Sequence, residues 1–261
     1  MNKPRPYIGV TGLKTPEEFD TLSEFVYDGF AYDKANEHDL MLGFTCSNKR
    51  LEDPKSEGKT SPSIQTLSDI FDSYHPQYRI LPMIHYFTDK PEQLSAEIFQ
   101  LFDYIGIRNL QLNAHWPHVN EVEAIRNECP DIKITLQIPN SALVTPINVC
   151  DKLKVYEGLV DYALVDPSGG AGLATSVDFA VPYLKEIDHI PSITPGFAGG
   201  LSAENVKSTV AAIKEGLFCT FCQTNPVRQF CIDAQGRLRD KDGLNLELTK
   251  QYINNAVAAL K

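Results

Sequence analysis

The chain has 261 residues, of which 43% are hydrophobic and 22% are charged, and its formal net charge is −10. This composition is that of a folded globular protein, and the acidic balance opposes general binding to nucleic acid or to an anionic membrane surface. No stretch reaches the roughly 18 apolar residues of a membrane-spanning helix, and the N-terminal segment lacks a signal-peptide pattern. We therefore expect a cytoplasmic protein whose partners include neither nucleic acid nor a membrane.

Short apolar segments alternate with longer amphipathic segments along the whole chain. The apolar segments predict eight β-strands, at residues 7–12, 39–45, 79–87, 109–114, 132–138, 161–166, 191–198 and 217–223. A segment with helical periodicity follows each of them, and alternation of this kind indicates a parallel sheet. Eight such units with no linker between them predict a single (β/α)₈ TIM barrel domain over residues 1–261. The alternative is an open doubly wound sheet, which more often carries its glycine-rich loop after the first strand.

Two glycine-rich loops follow the predicted strands six and seven. Gly199 and Gly200 come just before a helix start, where backbone N–H groups and the helix dipole favour phosphate. In TIM barrels a phosphate site commonly lies in the loops after strands seven and eight. We therefore predict phosphate contacts from this pair, and a close approach to the ligand or a second phosphate contact from Gly169, Gly170 and Gly172 in the sixth loop. A tight turn that merely requires glycine is the alternative for the seventh loop.

Asp166 ends the apolar stretch YALV of the predicted strand six. A carboxylate at the end of a barrel strand faces a partly enclosed site, where it can have a raised pKa and act as a proton donor or acceptor. We predict that Asp166 is a catalytic acid–base residue. The alternative is an aspartate that only caps the loop that follows it.

Several segments share their pattern with one enzyme family over nearly the whole chain. They are 9-GVTGL-13, 43-GFTCSNKR-50, 110-LQLNAH-115, 164-LVDPSGGAG-172, 197-FAGGLSAENV-206 and, more loosely, 225-NPVRQFCIDAQGRLRDKDG-243. Together they resemble the phosphoribosylanthranilate isomerase family of tryptophan biosynthesis, a (β/α)₈ barrel of the ribulose-phosphate-binding group. The segment with the two adjacent glycines, 197–206, is the most specific.

The resemblance implies an Amadori rearrangement, in which a phosphoribosylamine ring opens and becomes a 1-amino-ketose phosphate without a metal or a cofactor. It implies that Asp166 is the general acid at the ring oxygen and that Arg50 binds the anthranilate carboxylate. The implied phosphate contacts are Gly199 and Gly200, the sixth-loop glycines Gly169, Gly170 and Gly172, and Thr224 and Asn225 after strand eight.

The sequence departs from the family where the family has its catalytic base. Thr11 stands at the place of the strand-one cysteine, and a threonine hydroxyl has a pKa too high to act as an unaided base. Three residues near strand ends are candidates for that role: Cys46, if a cation such as Arg50 lowers the pKa of its thiol, and His85 and His115, which titrate near neutrality. We predict that one of these three supplies the base.

We therefore predict an isomerase of a phosphorylated sugar derivative that uses neither cofactor nor metal and is a monomer or a homodimer. A metal site of His115, His118 and Asp166 is disfavoured, because Pro117 places the histidines in a loop rather than on a helix face. Two alternatives stay open: a related lyase or epimerase acting on another sugar phosphate, and a barrel that binds a phosphorylated ligand without catalysis.

Overall fold

The described part of the chain, in a computed structural model, contains eight parallel strands that close into a barrel. The structure describes residues 3–25, 37–72, 74, 79–106, 108–113, 116–168, 176–218, 229–241 and 243–261. The barrel strands are β1 Tyr7–Thr11, β2 Asp39–Ser47, β3 Ile80–Phe87, β4 Leu110–Leu112, β5 Ile134–Pro139, β6 Tyr162–Asp166, β7 Thr194–Ala198 and β8 Cys231–Ala234. Each strand pairs with the next, and β8 closes the barrel on β1, which confirms the predicted (β/α)₈ fold.

Helices surround the barrel and alternate with its strands. Within the described residues they are α1 Pro16–Phe25, α2 Asn48–Glu52, α3 Ile64–Asp72, α4 Leu94–Tyr104, α5 Val119–Glu128, α6 Pro146–Lys154, α7 Val177–Asp188, α8 Val206–Leu217 and α9 Leu246–Leu260. None of these described helices combines the length and the apolar character needed to cross a membrane.

The first helix shows how a local signal fixes an element of the fold. Thr15 Oγ1 accepts a hydrogen bond from the Glu18 amide at 3.2 Å, and Glu18 Oε2 accepts one from the Thr15 amide at 3.2 Å. This reciprocal pair is a capping box, which satisfies N–H groups that the first turn leaves free. From this start the helix packs Phe19 and Leu22 against the barrel.

The inside of the barrel changes from apolar to polar along the strands. An apolar cluster of Tyr7, Met41, Met83, Tyr162 and Cys231 fills the barrel near the amino ends of the strands. Alternate residues of a strand share a face, so the next inward residues after Tyr7, Met83 and Cys231 are Gly9, His85 and Asp233. The barrel is therefore closed by packing at one end, and its polar side chains lie toward the carboxyl ends of the strands.

The eighth barrel strand lies later in the chain than the sequence analysis predicted, so the assignment of that strand to 217–223 is wrong. Leu217 is the last residue of α8, and residues 219–223 lie outside the described part of the chain. Cys231–Ala234 forms the strand instead, because it pairs with both β7 and β1 and so closes the ring. The loop after strand eight consequently begins at Gln235, followed by a short 3₁₀ helix, Gly236–Leu238.

A small hairpin follows that 3₁₀ helix and leads into the last helix. Its two strands are β9 Arg239–Asp240 and β10 Gly243–Leu244, which pair in antiparallel orientation outside the barrel. Asn245 then caps α9, since its side-chain oxygen accepts a hydrogen bond from the Leu248 amide at 3.0 Å. Only the first residues of the segment after β8 therefore belong to the rim of the barrel.

Candidate active site

A cavity of about 270 Å³ opens at the carboxyl ends of the barrel strands. Its lining comes from strands β2 to β8 and from the loops that follow them. This is the end of the barrel at which TIM-barrel enzymes place their catalytic groups. The cavity is therefore the candidate active site.

Asp166, the predicted acid–base residue, lines this cavity and is 3% exposed. Its Oδ1 accepts hydrogen bonds from the Ser168 amide at 3.1 Å and from Ser168 Oγ at 2.7 Å. Its Oδ2 accepts one from Gln137 Nε2 at 2.6 Å. The side chain thus orders the start of the sixth loop and also lines the cavity, while its acid–base role stays a prediction.

Asp233 is a second buried carboxylate in the same cavity, and the sequence analysis did not identify it. It is 5% exposed, and burial raises its pKa to about 7, with a further increase from the charge of Asp166. Hydrogen bonds from Thr11 and Gln111 oppose this rise, because they favour the ionised form. A carboxyl group with a pKa near neutrality can both take and give a proton at physiological pH.

Glutamine side chains connect the two carboxylates across the barrel. Gln137 donates to Asp166, and its Oε1 lies 2.7 Å from His85 Nε2 and 3.5 Å from Gln111 Nε2. Gln111 Nε2 also reaches Asp233 Oδ2 at 3.4 Å. The carboxylates therefore belong to one hydrogen-bonded network, and a proton gained by one of them affects the other.

Thr11 supports Asp233 rather than acting as a base itself. Its hydroxyl lies 3.0 Å and 3.1 Å from the two carboxylate oxygens of Asp233, to which it donates. The neighbouring inward position, Gly9, pairs with Asp233 across the β1–β8 ladder. A Cβ at Gly9 would lie 2.6 Å from Asp233 Oδ1, so only glycine leaves room for this carboxylate.

The surroundings of Cys46 do not favour the predicted thiolate role. The side chain lines the cavity, but burial raises the pKa of the thiol to about 12, and the nearby charge of Arg50 offsets only part of this rise. A raised pKa favours the protonated thiol at neutral pH, which argues against Cys46 as the base. The sequence analysis could not predict this burial, because the end of a strand can be either exposed or buried.

His85 lies in the cavity, and its role as the base stays a prediction. Burial lowers the pKa of its imidazole, so the ring is neutral at pH 7. Gln137 gives its amide N–H to Asp166, so its oxygen faces the imidazole, and His85 Nε2 donates to it at 2.7 Å. The nitrogen that keeps a free lone pair is therefore Nδ1.

The predicted phosphate glycines lie on the rim of the cavity. Gly199 has a φ of 126° and Gly200 a φ of 68°, values that other residues rarely adopt, and both line the cavity. Asn205 Nδ2 holds this loop by donating to the Gly200 carbonyl oxygen at 2.8 Å. The loop after β8 adds Gly236 and Arg237 to the same lining. Arg237 is therefore a cation that lines the same cavity as the predicted phosphate loop. The sequence analysis did not identify it, because it placed the eighth strand at 217–223.

Arg50 does not line the cavity, contrary to its predicted role in binding a carboxylate there. It lies on α2, and its Nη1 donates to Ser56 Oγ at 2.8 Å within the loop that follows that helix. The other guanidinium nitrogen packs on Gly58. The sequence pattern placed Arg50 correctly near the end of β2 but could not give the direction of its side chain.

The remaining candidates fall outside the described residues, and their predicted roles stay predictions. These are His115, Gly169, Gly170, Gly172, Thr224 and Asn225. Among the residues that are described, no group of three His, Cys, Asp or Glu side chains is arranged to hold a metal ion.

Fold and cavity together define a (β/α)₈ barrel with a polar, acidic cavity at the carboxyl end of its strands. A scan against protein-family models gives no match, and neither does a sequence search of curated proteins. Solved structures do match, among them N-(5'-phosphoribosyl)anthranilate isomerase from Pyrococcus furiosus, with a TM-score of 0.60 and 14% identity over 96% of this chain and 98% of that one.

Other TIM-barrel structures are similar to nearly the same degree. The catalytic domain of a hyperthermophilic chitinase from Pyrococcus furiosus has a TM-score of 0.56 and 9% identity, covering 97% of this chain and 95% of its own. A Rubisco-like protein from Rhodopseudomonas palustris has a TM-score of 0.51 and 12% identity, covering 97% of this chain and 63% of its own. Likeness at these identities establishes the fold, while function has to be argued from the cavity.

Proposed function

We propose that this chain is an isomerase that moves protons on a phosphorylated sugar derivative, with Asp166 and Asp233 as its acid–base pair. The observation that carries the proposal is the pair itself: two buried carboxylates, from β6 and β8, line one cavity and are linked through Gln111 and Gln137. Removing a proton from carbon and giving one to oxygen can be divided between two groups of this kind.

Asp233 is assigned as the base. Its pKa of about 7 leaves much of it ionised at neutral pH while making it a stronger base than an ordinary carboxylate. It adjoins Thr11, at the place where the resembled family has its basic cysteine. Asp166, across the network, is assigned as the acid at the ring or carbonyl oxygen, the role that the resemblance implies for it.

The rim of the cavity supports a phosphate as the group that anchors the substrate. Gly199 and Gly200 line the cavity ahead of α8, which begins at Val206, and Arg237 lies on the loop after β8. Loops seven and eight and a short extra helix are the usual phosphate site of TIM barrels. Here the short helix is Gly236–Leu238.

The phosphate assignment is tested by inorganic phosphate binding to Gly199→Ala, measured by isothermal titration calorimetry. We expect the substitution to weaken binding at least tenfold, because alanine at this φ forces the amides away from the ligand. Gly158→Ala is the matched control, since Gly158 also has a positive φ but lies in open space away from the cavity. Equal binding by both variants would remove the phosphate from the proposal.

A barrel that only binds its ligand is the main alternative, and the environment of Asp233 argues against it. Holding a carboxyl group in a site that raises its pKa to about 7 destabilises the fold at neutral pH. Sites that keep such groups are commonly catalytic. A lyase or an epimerase would use the same pair of carboxylates, so the product must be identified in the same experiment.

The test is deuterium exchange followed by ¹H NMR in D₂O on a panel of aldose and ketose phosphates and phosphoribosylanthranilate. The wild-type chain should exchange the hydrogen next to the carbonyl or imine carbon of its substrate, and the spectrum of the product separates isomerase from epimerase and lyase. Asp233→Asn and Asp166→Asn should each slow the reaction at least a hundredfold. Asp131→Asn, at an exposed surface position, is the control. Full activity of Asp233→Asn would refute the assignment.

A further inference from the structure

We infer that the substrate presents hydrogen-bond donors, and no carboxylate, to the side of the cavity formed by β2 to β4. This inference rests on the proposed function, because it describes the end of the substrate opposite the phosphate. The acceptor side, as we name it, is lined by Thr45, Ser61, His85 and Gln111, with Phe87 at its rim.

The hydroxyls of the acceptor side have already used their protons. Thr45 Oγ1 donates to the Thr60 carbonyl oxygen at 2.6 Å. The contact between Thr45 Oγ1 and Ser61 Oγ, at 2.8 Å, must then be donated by Ser61, since a hydroxyl has one proton. What Ser61 offers to the cavity is therefore the lone pair of its oxygen.

His85 offers a second acceptor. Its Nε2 carries the proton that goes to Gln137, and its lowered pKa leaves Nδ1 unprotonated at pH 7. Nδ1 is buried and has no hydrogen-bond partner in the described part of the chain. A buried acceptor without a donor is unfavourable, so a donor from the ligand would satisfy it.

Gln111 offers a third acceptor for the same reason. Its Nε2 is directed to the carboxylate of Asp233 and to the oxygen of Gln137, which fixes the orientation of the amide. Its Oε1 is buried and likewise lacks a partner among the described atoms. Ser61, His85 and Gln111, which line one side of the same cavity, thus each carry an acceptor lone pair.

The charged residues that line the cavity also disfavour a substrate carboxylate on the acceptor side. Asp166 and Asp233 are its acidic groups, and Arg237, which follows β8, is the one Lys or Arg among the described lining residues. Arg50, the predicted carboxylate contact, is directed to Ser56 instead. A substrate carboxylate on the acceptor side would therefore meet acceptors and like charges, while hydroxyl or amine groups would meet complementary atoms.

Phe87 adds an apolar face to this polar surface. Its side chain is 47% exposed and lines the rim of the cavity at the end of β3. An exposed aromatic ring beside hydroxyl acceptors suits a sugar, whose C–H face packs on the ring, or an uncharged planar substituent. The substrate class is therefore a sugar phosphate whose second end is hydroxylated or carries an uncharged amine.

Two ligands that differ only in a carboxylate test the inference. They are made by reductive amination of ribose 5-phosphate with aniline or with 2-aminobenzoate, and their dissociation constants are measured by isothermal titration calorimetry. We expect the ligand without the carboxylate to bind at least tenfold more tightly. Equal affinity, or tighter binding of the carboxylated ligand, would overturn the inference.

Variants then locate the effect within the cavity. Ser61→Ala should weaken the uncharged ligand about three- to tenfold and leave inorganic phosphate binding unchanged. Arg50→Ala should change neither affinity more than twofold; selective loss of the carboxylated ligand would show that Arg50 turns into the cavity and would overturn the inference. If neither ligand nor inorganic phosphate binds, the proposed phosphate function fails first, and the inference fails with it.

Discussion

Replacing Asp233 with asparagine should stabilise the fold at neutral and alkaline pH while removing proton transfer. Burial raises the pKa of this carboxyl from its ordinary 3.8 to about 7 in the folded chain. Below about pH 4 the group is protonated in both states and affects stability little. Between pH 4 and 7 the unfolded chain loses the proton while the folded chain keeps it, so the free energy of unfolding falls as pH rises.

The size of this effect follows from the shift in pKa. About three pH units at 1.36 kcal/mol each give roughly 4 kcal/mol lost by the wild type between pH 4 and pH 8, of which about 2 to 3 kcal/mol falls between pH 5 and pH 8. Asparagine mimics the neutral acid and still accepts the hydrogen bond from Thr11. The Asp233→Asn variant therefore does not lose this free energy of unfolding as the pH rises.

Urea unfolding at pH 5 and pH 8 measures the difference between wild type and Asp233→Asn. We expect the variant to gain about 2 to 3 kcal/mol on the wild type between these two pH values, because the contributions of titrating groups that do not interact with Asp233 cancel in the comparison. Asp131→Asn, at an exposed position, should show no such gain. A difference that does not change with pH would refute the argument that Asp233 is destabilised by its site.

Three further substitutions test the surroundings of the carboxylate pair. Thr11→Val removes a donor that favours ionised Asp233, so the rise of activity with pH should move up by about 0.5 to 1 unit in a pH–rate profile; an unmoved profile would contradict the role of Thr11. Gly9→Ala forces a Cβ against Asp233 and should lower the free energy of unfolding by about 1 to 3 kcal/mol, whereas Gly106→Ala, in open space, should change it by less than about 0.5 kcal/mol. Cys46→Ser should leave the shape of the pH–rate profile unchanged, because the thiol, with a pKa of about 12, does not titrate in the working range, and a lost acid limb would show otherwise.

Most of the barrel could be predicted from sequence because each unit carries its own local signals. The first seven strands were predicted within three residues of their observed ends, since short apolar segments between amphipathic segments are typical of buried parallel strands. The eighth strand was missed because Cys231–Ala234 is short and contains an aspartate, while 217–223 looked more apolar. Pairing with β1 and β7, which is a long-range property, decided between them.

A signal for the missed carboxylate was nevertheless present in the sequence. The segment 230-FCID-233 repeats the plan of 162-YALVD-166, an apolar run that leads to an aspartate. Gly9 is visible in the segment 9-GVTGL-13, but the space it leaves for Asp233 appears only when β1 and β8 are paired. The directions of long side chains, such as that of Arg50, depend on loop contacts that no periodicity encodes.

A crystal structure with a bound sugar phosphate tests the central claim most directly. The account predicts the phosphate at the amides of Gly199 and Gly200 beside Arg237, with the reacting carbons of the sugar between Asp166 and Asp233. A phosphate bound away from these glycines, or a sugar whose carbons contact neither carboxylate, would contradict it.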